Sequence, residues 1–159
     1  MVGCCGVTPP PAEKFFDRAT PLETFKGFVY AVDTHQWDYA YNCLSAASKA
    51  EIGPTKFEIA IRWLNDPVYH KVPVYDIISN SVTAVVKVEQ GPRSARIQVL
   101  PNVRDADGIL NAFDTSLIFV EEDNGLWFFD FFKTIDAILQ GPPRPPPTDV
   151  SSRDTPRGH

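Results

Sequence analysis

The side chains able to do chemistry fall on expected strands and in one helix break. Asp130 stands between Phe128 and Phe132 at period two, and Asp76 stands between Val74 and Ile78 in the same way. Each carboxylate is therefore expected among apolar neighbours. Desolvation there raises a carboxyl pKa and suits it to general acid or base work. The competing reading is that each strand twists, bulges or lies at an edge. The acids are then solvated or paired with Lys87, Arg96 or Lys133, and structural pairs of this kind commonly mimic functional ones. His35 follows Asp33 in the break of a helix pair. The two form either an acid–base pair at a pocket mouth or, more simply, a helix end. Tyr30, Tyr41, Tyr75 and Trp37 are candidates to contact a bound ligand, although aromatic residues on core faces more often only pack.

Other chemistry is excluded. The three histidines share no ligand spacing, and Cys4, Cys5 and Cys43 form neither a CxxC pair nor a disulfide framework. Asp105-Ala106-Asp107-Gly108 resembles the start of a calcium loop but lacks the third ligand and the closing glutamate. There is no Ser-His-Asp order and no glycine-rich phosphate loop, so no metal and no cofactor is implied.

With 159 residues, 43% hydrophobic and 22% charged, the chain has the composition of one ordinary globular domain. A net charge of −5 argues against a dedicated nucleic-acid partner. Proline clusters at Pro9-Pro10-Pro11 and again after Gly141. The expected organisation is a flexible lead-in over 1–19, a folded domain over 20–140 and a disordered tail over 141–159. Val2-Gly3-Cys4 looks like the end of a lipoprotein signal, with Cys4 as the lipidated residue, yet no charged start or apolar stretch precedes it. Two readings stay open: a start lying upstream, with an envelope-anchored protein, or a disordered cytoplasmic N-terminus. A membrane enters only through that lipid anchor.

Positioning falls to helices first and strands afterwards. Thr20-Pro21-Leu22-Glu23 is a capped helix start, and Leu22, Phe25, Val29 and Val32 recur at helical spacing. A second helix from Gln36 places Trp37, Ala40, Tyr41 and Leu44 on one face. A third follows Gly53-Pro54, with Thr55 and Glu58 spaced as a capping box, and ends at Asn65-Asp66-Pro67. From Val72 the period changes to two, giving strands over 72–79, 82–89, 95–100, 115–122 and 126–132. Asn124-Gly125 marks a hairpin. The 101–112 connection is expected to be the longest loop, and a short helix over 134–139 to follow the strands. Three helices on a curved antiparallel sheet make an α+β domain.

The run Leu22–Val32, Trp37, Ala40-Tyr41 and Leu44-Ser45, with the aromatic strand Leu126-Trp127-Phe128-Phe129, resembles NTF2-like domains. The resemblance covers about 20–132 and is most like the small bacterial lipoproteins of that superfamily. It implies a cone of helices and curved sheet around an apolar pocket. The function expected from it is non-enzymatic binding of a protein partner or small apolar ligand. The alternative is a SnoaL-like isomerase, dehydratase or hydrolase with Asp130 or Asp76 as base and a tyrosine or histidine polarising the substrate. A homodimer is expected through the sheet face, where Trp127, Phe129 and Phe131 are read as an exposed row.

Overall fold

The structure, a computed structural model, describes residues 6–112 and 116–140. The chain opens with a 3-10 turn, Ala12–Lys14, and the helix α1, Pro21–Asp33. The Thr20 hydroxyl accepts the Glu23 N–H at 3.2 Å and Pro21 takes the first turn, so the helix starts where its capping residues place it. Phe25, Phe28, Val29 and Val32 are buried along one stripe. His35 ends the helix in the left-handed region at φ 59°, and the Gln36 N–H reaches back to Ala31 O at 2.7 Å.

Part of the expected lead-in braces this helix. Tyr30 donates to Pro10 O at 2.8 Å, Gln36 Oε1 accepts the Ala12 N–H at 2.8 Å, and Ala12 is buried. Phe16 lies so close to α1 at Gly27 that a Cβ there would sit 2.9 Å from the phenylalanine's own Cβ. Residues 1–5, with Cys4, and the tail 141–159 lie outside the described residues.

Three helices were expected before residue 65, and four are present. α2 spans Trp37–Asn42, α3 Ala46–Glu51 and α4 Pro54–Leu64. The additional one, α3, is capped by Ser45, whose Oγ accepts the Ser48 N–H at 3.2 Å. The expected Thr55–Glu58 box does not form: Gly53 is the N-cap of α4, with Pro54 at the first position.

The largest correction concerns 72–79, expected as a strand. It is the helix α5, Val74–Ser81. Val74, Ile77, Ile78 and Ser81 are buried together, a spacing of three, one and three that fits a helix face. Val72, Val74 and Ile78 also satisfy period two, and over eight residues the two periods cannot be told apart by count.

The remaining strands form an antiparallel sheet in the order β1-β2-β5-β6, with β1 at Val85–Gln90, β2 at Ser94–Val99, β5 at Ser116–Asp123 and β6 at Leu126–Phe129. The long connection is not a bare loop but carries the hairpin β3, Asn102–Arg104, with β4, Leu110–Ala112. Asp105 holds its turn, accepting the Asp107 and Ile109 N–H groups at 3.0 and 2.9 Å.

The strand expected to reach Phe132 stops at Phe129, and the helix α6, Phe131–Gln140, begins there. The exposed aromatic row therefore does not exist. Trp127, Phe129 and Phe131 are buried, because β6 turns this face toward α1 and the chain then enters a helix. Phe129 and Phe131 join Phe25, Phe28 and Phe57 in one cluster, all fully buried, with Phe28 and Phe129 only 4.5 Å apart at their ring centres. The class is α+β, with six helices and a four-stranded antiparallel sheet among the described residues. No helix among them is long and apolar enough to cross a membrane.

Candidate functional site

The outer face of the sheet carries the polar half of each strand. In β2, Ala95, Ile97 and Val99 are buried while Ser94, Arg96 and Gln98 face outward. In β5, Ile118 and Val120 are buried, which leaves Phe119 and Glu121 on the outer side. Register then sets Arg96 between Glu89 and Phe119, and Ser94 opposite Glu121. These side chains, with Asp130 and Lys133, line an open cleft of about 420 Å3.

Asp130 enters this cleft as the N-cap of α6. Its backbone N–H donates to Phe119 O at 2.9 Å, its Oδ1 accepts the Lys133 N–H at 3.2 Å, and its carbonyl accepts the Thr134 N–H at 3.1 Å. Thr134 Oγ1 takes the Phe119 N–H at 3.0 Å, so the first turn of α6 continues the edge of β5 where β6 has ended. Asp130 is 7% exposed. The Lys133 ammonium stands 4.7 Å from the centre of the Phe119 ring, a cation–π contact.

Glu121 is the neighbour that matters. Burial pushes its carboxyl pKa above the ordinary glutamate value, the Asp130 charge beside it pushes the same way, and Lys133 opposes both. The cleft thus holds three carboxylates, Glu89, Glu121 and Asp130, against Arg96 and Lys133. Glu89 is already held on both oxygens, by Arg96 at 3.1 Å and by Lys87 at 2.8 Å, which leaves Glu121 and Asp130 facing Lys133. A second groove of about 360 Å3 lies on the other side of Glu121, floored by Phe128 and edged by Lys49 and Asp123. Arg18 and Lys49 stand over the Phe128 ring at 5.1 and 5.7 Å.

The other expected site residues do not converge on this cleft. Asp76 lies on α5, not on a strand, where its Oδ1 accepts Asn65 Nδ2 at 2.9 Å and its N–H donates to Asn65 Oδ1 at 3.1 Å. Tyr75 is buried and donates to Asp33 Oδ1 at 3.0 Å. Tyr41 donates to Ile52 O at 3.0 Å, and Tyr30 to Pro10 O, so each phenol is occupied within the fold. Trp37 packs edge-on against Phe57, with His35 5.8 Å from its ring. His35 and Trp37 border a shallow surface hollow with Glu13 and Asp38, while Asp33 turns to Tyr75 instead. No group of three metal-ligating side chains is assembled among the described residues.

Sequence reading missed Glu121 and Phe119 as partners of Asp130. The signal was present in β5: once Ile118 and Val120 are taken as the core row, Phe119 and Glu121 must share the opposite face.

The fold and this cleft define an α+β domain with a polar groove on its sheet. No family model matches the chain, and no curated protein does. Among solved structures it is similar to a SEC-C motif-containing protein from Rhodopseudomonas palustris, determined in solution. The TM-score is 0.52 at 11% identity, over 76% of this chain and 83% of that one. At that identity the likeness is one of fold. It corrects the NTF2-like reading, since the structural neighbour is described by its SEC-C motif and nothing found supports the NTF2-like superfamily. The physical reason is that the residues carrying that resemblance do work common to many folds. Trp37 packs on Phe57, Tyr41 fastens α2 to Ile52, and Ser45 caps α3.

Proposed function

We propose that this chain is a non-enzymatic binding domain that takes a basic side chain of a protein partner in the cleft at Glu121 and Asp130. The observation that carries this reading is the filled interior. Five phenylalanines, Phe25, Phe28, Phe57, Phe129 and Phe131, occupy the space between helices and sheet. On this reading the helices and sheet close on a packed core rather than a hollow cone, and binding belongs to the outer face. An arginine or lysine side chain fits the cleft chemically, because the carboxylates of Glu121 and Asp130 can accept its N–H groups.

The test is an amide-resolved NMR titration with short arginine-containing peptides and a matched glutamine series. Saturable shifts at Phe119, Glu121, Asp130 and Lys133 with the arginine peptides alone are expected. Glu121→Gln should weaken them, as should Asp130→Asn, which keeps the helix cap. Equal shifts with both series, or none, would rule the site out.

One observation favours a second reading, in which Asp130 acts as general base in an isomerase, dehydratase or hydrolase. Glu121 holds its proton to higher pH than an ordinary glutamate, directly beside Asp130. Two carboxyls in one cleft are a workable acid–base pair. Turnover of an activated ester that is lost in both Asp130→Asn and Glu121→Gln would favour it over simple binding.

A further inference from the structure

The two edges of the sheet are finished differently. Along β6, Phe129 donates to Cys43 O at 2.7 Å, the Ser45 N–H donates to Phe129 O at 2.9 Å, and the Trp127 N–H donates to Arg18 O at 3.0 Å. That edge is covered by the chain itself. Strand β1 pairs with β2 and, among the described residues, with nothing on its other side. Exposed edges of this kind are templates for a further strand unless something blocks them. Val86 is 60% exposed and Val88 36%. No proline interrupts Val85–Gln90.

The outward backbone groups of β1 can be assigned. At the hairpin end, the Gly91 N–H donates inward to Ser94 O at 2.8 Å. In an antiparallel ladder the inward and outward residues alternate, so Glu89 is bonded to β2 while Val88 and Gln90 turn their N–H and C=O groups away from it. The side chains alternate as well. Lys87 and Glu89 share the outer face, bridged at 2.8 Å, and Glu89 also accepts Arg96.

We propose that β1 is a self-recognition edge, pairing antiparallel with β1 of a second copy of this chain about a two-fold axis through Val88. In that register Val88 exchanges both backbone bonds with its counterpart. Lys87 lies directly opposite Glu89 of the second copy, and Glu89 opposite its Lys87. These two pairs fall at non-hydrogen-bonded positions, where opposed Cα atoms are only about 4.5 Å apart and side chains are closest. A shift of the axis by one residue places Glu89 opposite Glu89, or Lys87 opposite Lys87. The charge order of this edge is thus complementary to itself in one register. Lys87 exchanges its own Glu89 for that of the second copy, while Arg96 keeps its hold. The two sheets would then form one of eight strands with the two polar clefts side by side, since Glu89 lines each cleft. This inference stands on the edge alone and does not depend on what the cleft binds.

The test is sedimentation of the full chain from micromolar to sub-millimolar concentration. Wild type is expected to self-associate in that range. Lys87→Glu and Glu89→Lys each set like charges opposite at both positions and should weaken association about tenfold. An equimolar mixture of the two single variants restores opposite charges at both positions and should associate, as should the double variant K87E/E89K. Concentration-dependent hydrogen-exchange protection at the Val88 and Gln90 amides should appear in wild type and in the double variant. A wild type that stays monomeric overturns the proposal. So does association that the single reversals leave unchanged, or two singly reversed variants that fold, as judged by circular dichroism, and fail to associate when mixed.

Discussion

Two clusters of acids in this molecule are finished in opposite ways. Around Tyr75, the phenol donates to Asp33, Asn65 exchanges two hydrogen bonds with Asp76, and the set ties α1, α4 and α5 together. Burial raises the pKa of Asp33, and burial with the nearby Asp33 charge holds the Tyr75 phenol proton tightly. Around Asp130, by contrast, the acids line an open cleft beside Lys133 and Arg96, although Asp130 itself is largely buried at its base. Both clusters contain perturbed acids, so perturbation alone does not mark a site. Access does. The first cluster satisfies itself, whereas the second leaves acceptor capacity facing outward.

The sharpest way to break this contrast is at Tyr75. Tyr75→Phe keeps the buried ring but removes its hydrogen bond to Asp33, whose carboxylate is open to water, and should cost about 0.5–1.5 kcal/mol in urea unfolding. A loss near zero would mean that water serves Asp33 as well as the phenol does, and the first cluster would then be as open as the second. At Asp130 the two roles separate by substitution. Asp130→Ala removes the α6 cap and should cost about 1 kcal/mol, while Asp130→Asn should leave stability nearly unchanged. If both variants are equally stable, the capping bond to Lys133 contributes nothing and Asp130 is held by the cleft alone.

The contrast also explains what could be read from the chain. Capping chemistry is local, so α1 was legible from Thr20, Pro21 and Glu23. Asn124-Gly125 likewise marks the β5–β6 turn, with both residues at positive φ. Asp130 was expected on a strand among apolar neighbours, whereas it caps a helix and lies with Glu121 and Lys133 in a polar cleft. The face of Trp127, Phe129 and Phe131 was not legible, because alternation tells which residues share a side but not which side meets the helices. Glu121 escaped notice because its importance depends on Asp130 arriving from beyond the next hairpin. Asp76 was misplaced with its whole element, since an eight-residue apolar segment fits both periods.

The smallest expected effect is the most discriminating. The pKa of Glu121 is raised in the folded protein above its ordinary value, so the native state holds that proton more firmly than the unfolded chain does. The favourable contribution is complete below the unfolded pKa, near 4.5, and is lost as pH rises through the higher folded value. Above it, Glu121 is an ionised acid beside Asp130 and opposes folding. Glu121→Gln removes that opposition and should make the protein slightly more stable at pH 7, by about 0.5 kcal/mol or less for a partly exposed position. The gap between variant and wild type should close as pH falls toward 4.5. Two parallel unfolding series across that range decide the point. A gap that widens on acidification would mean that Glu121 is held as an anion by Lys133, and the cleft would then be self-paired like the cluster around Tyr75. A gap that closes leaves the acids of the cleft short of a cation, the deficit a basic side chain of a partner would fill.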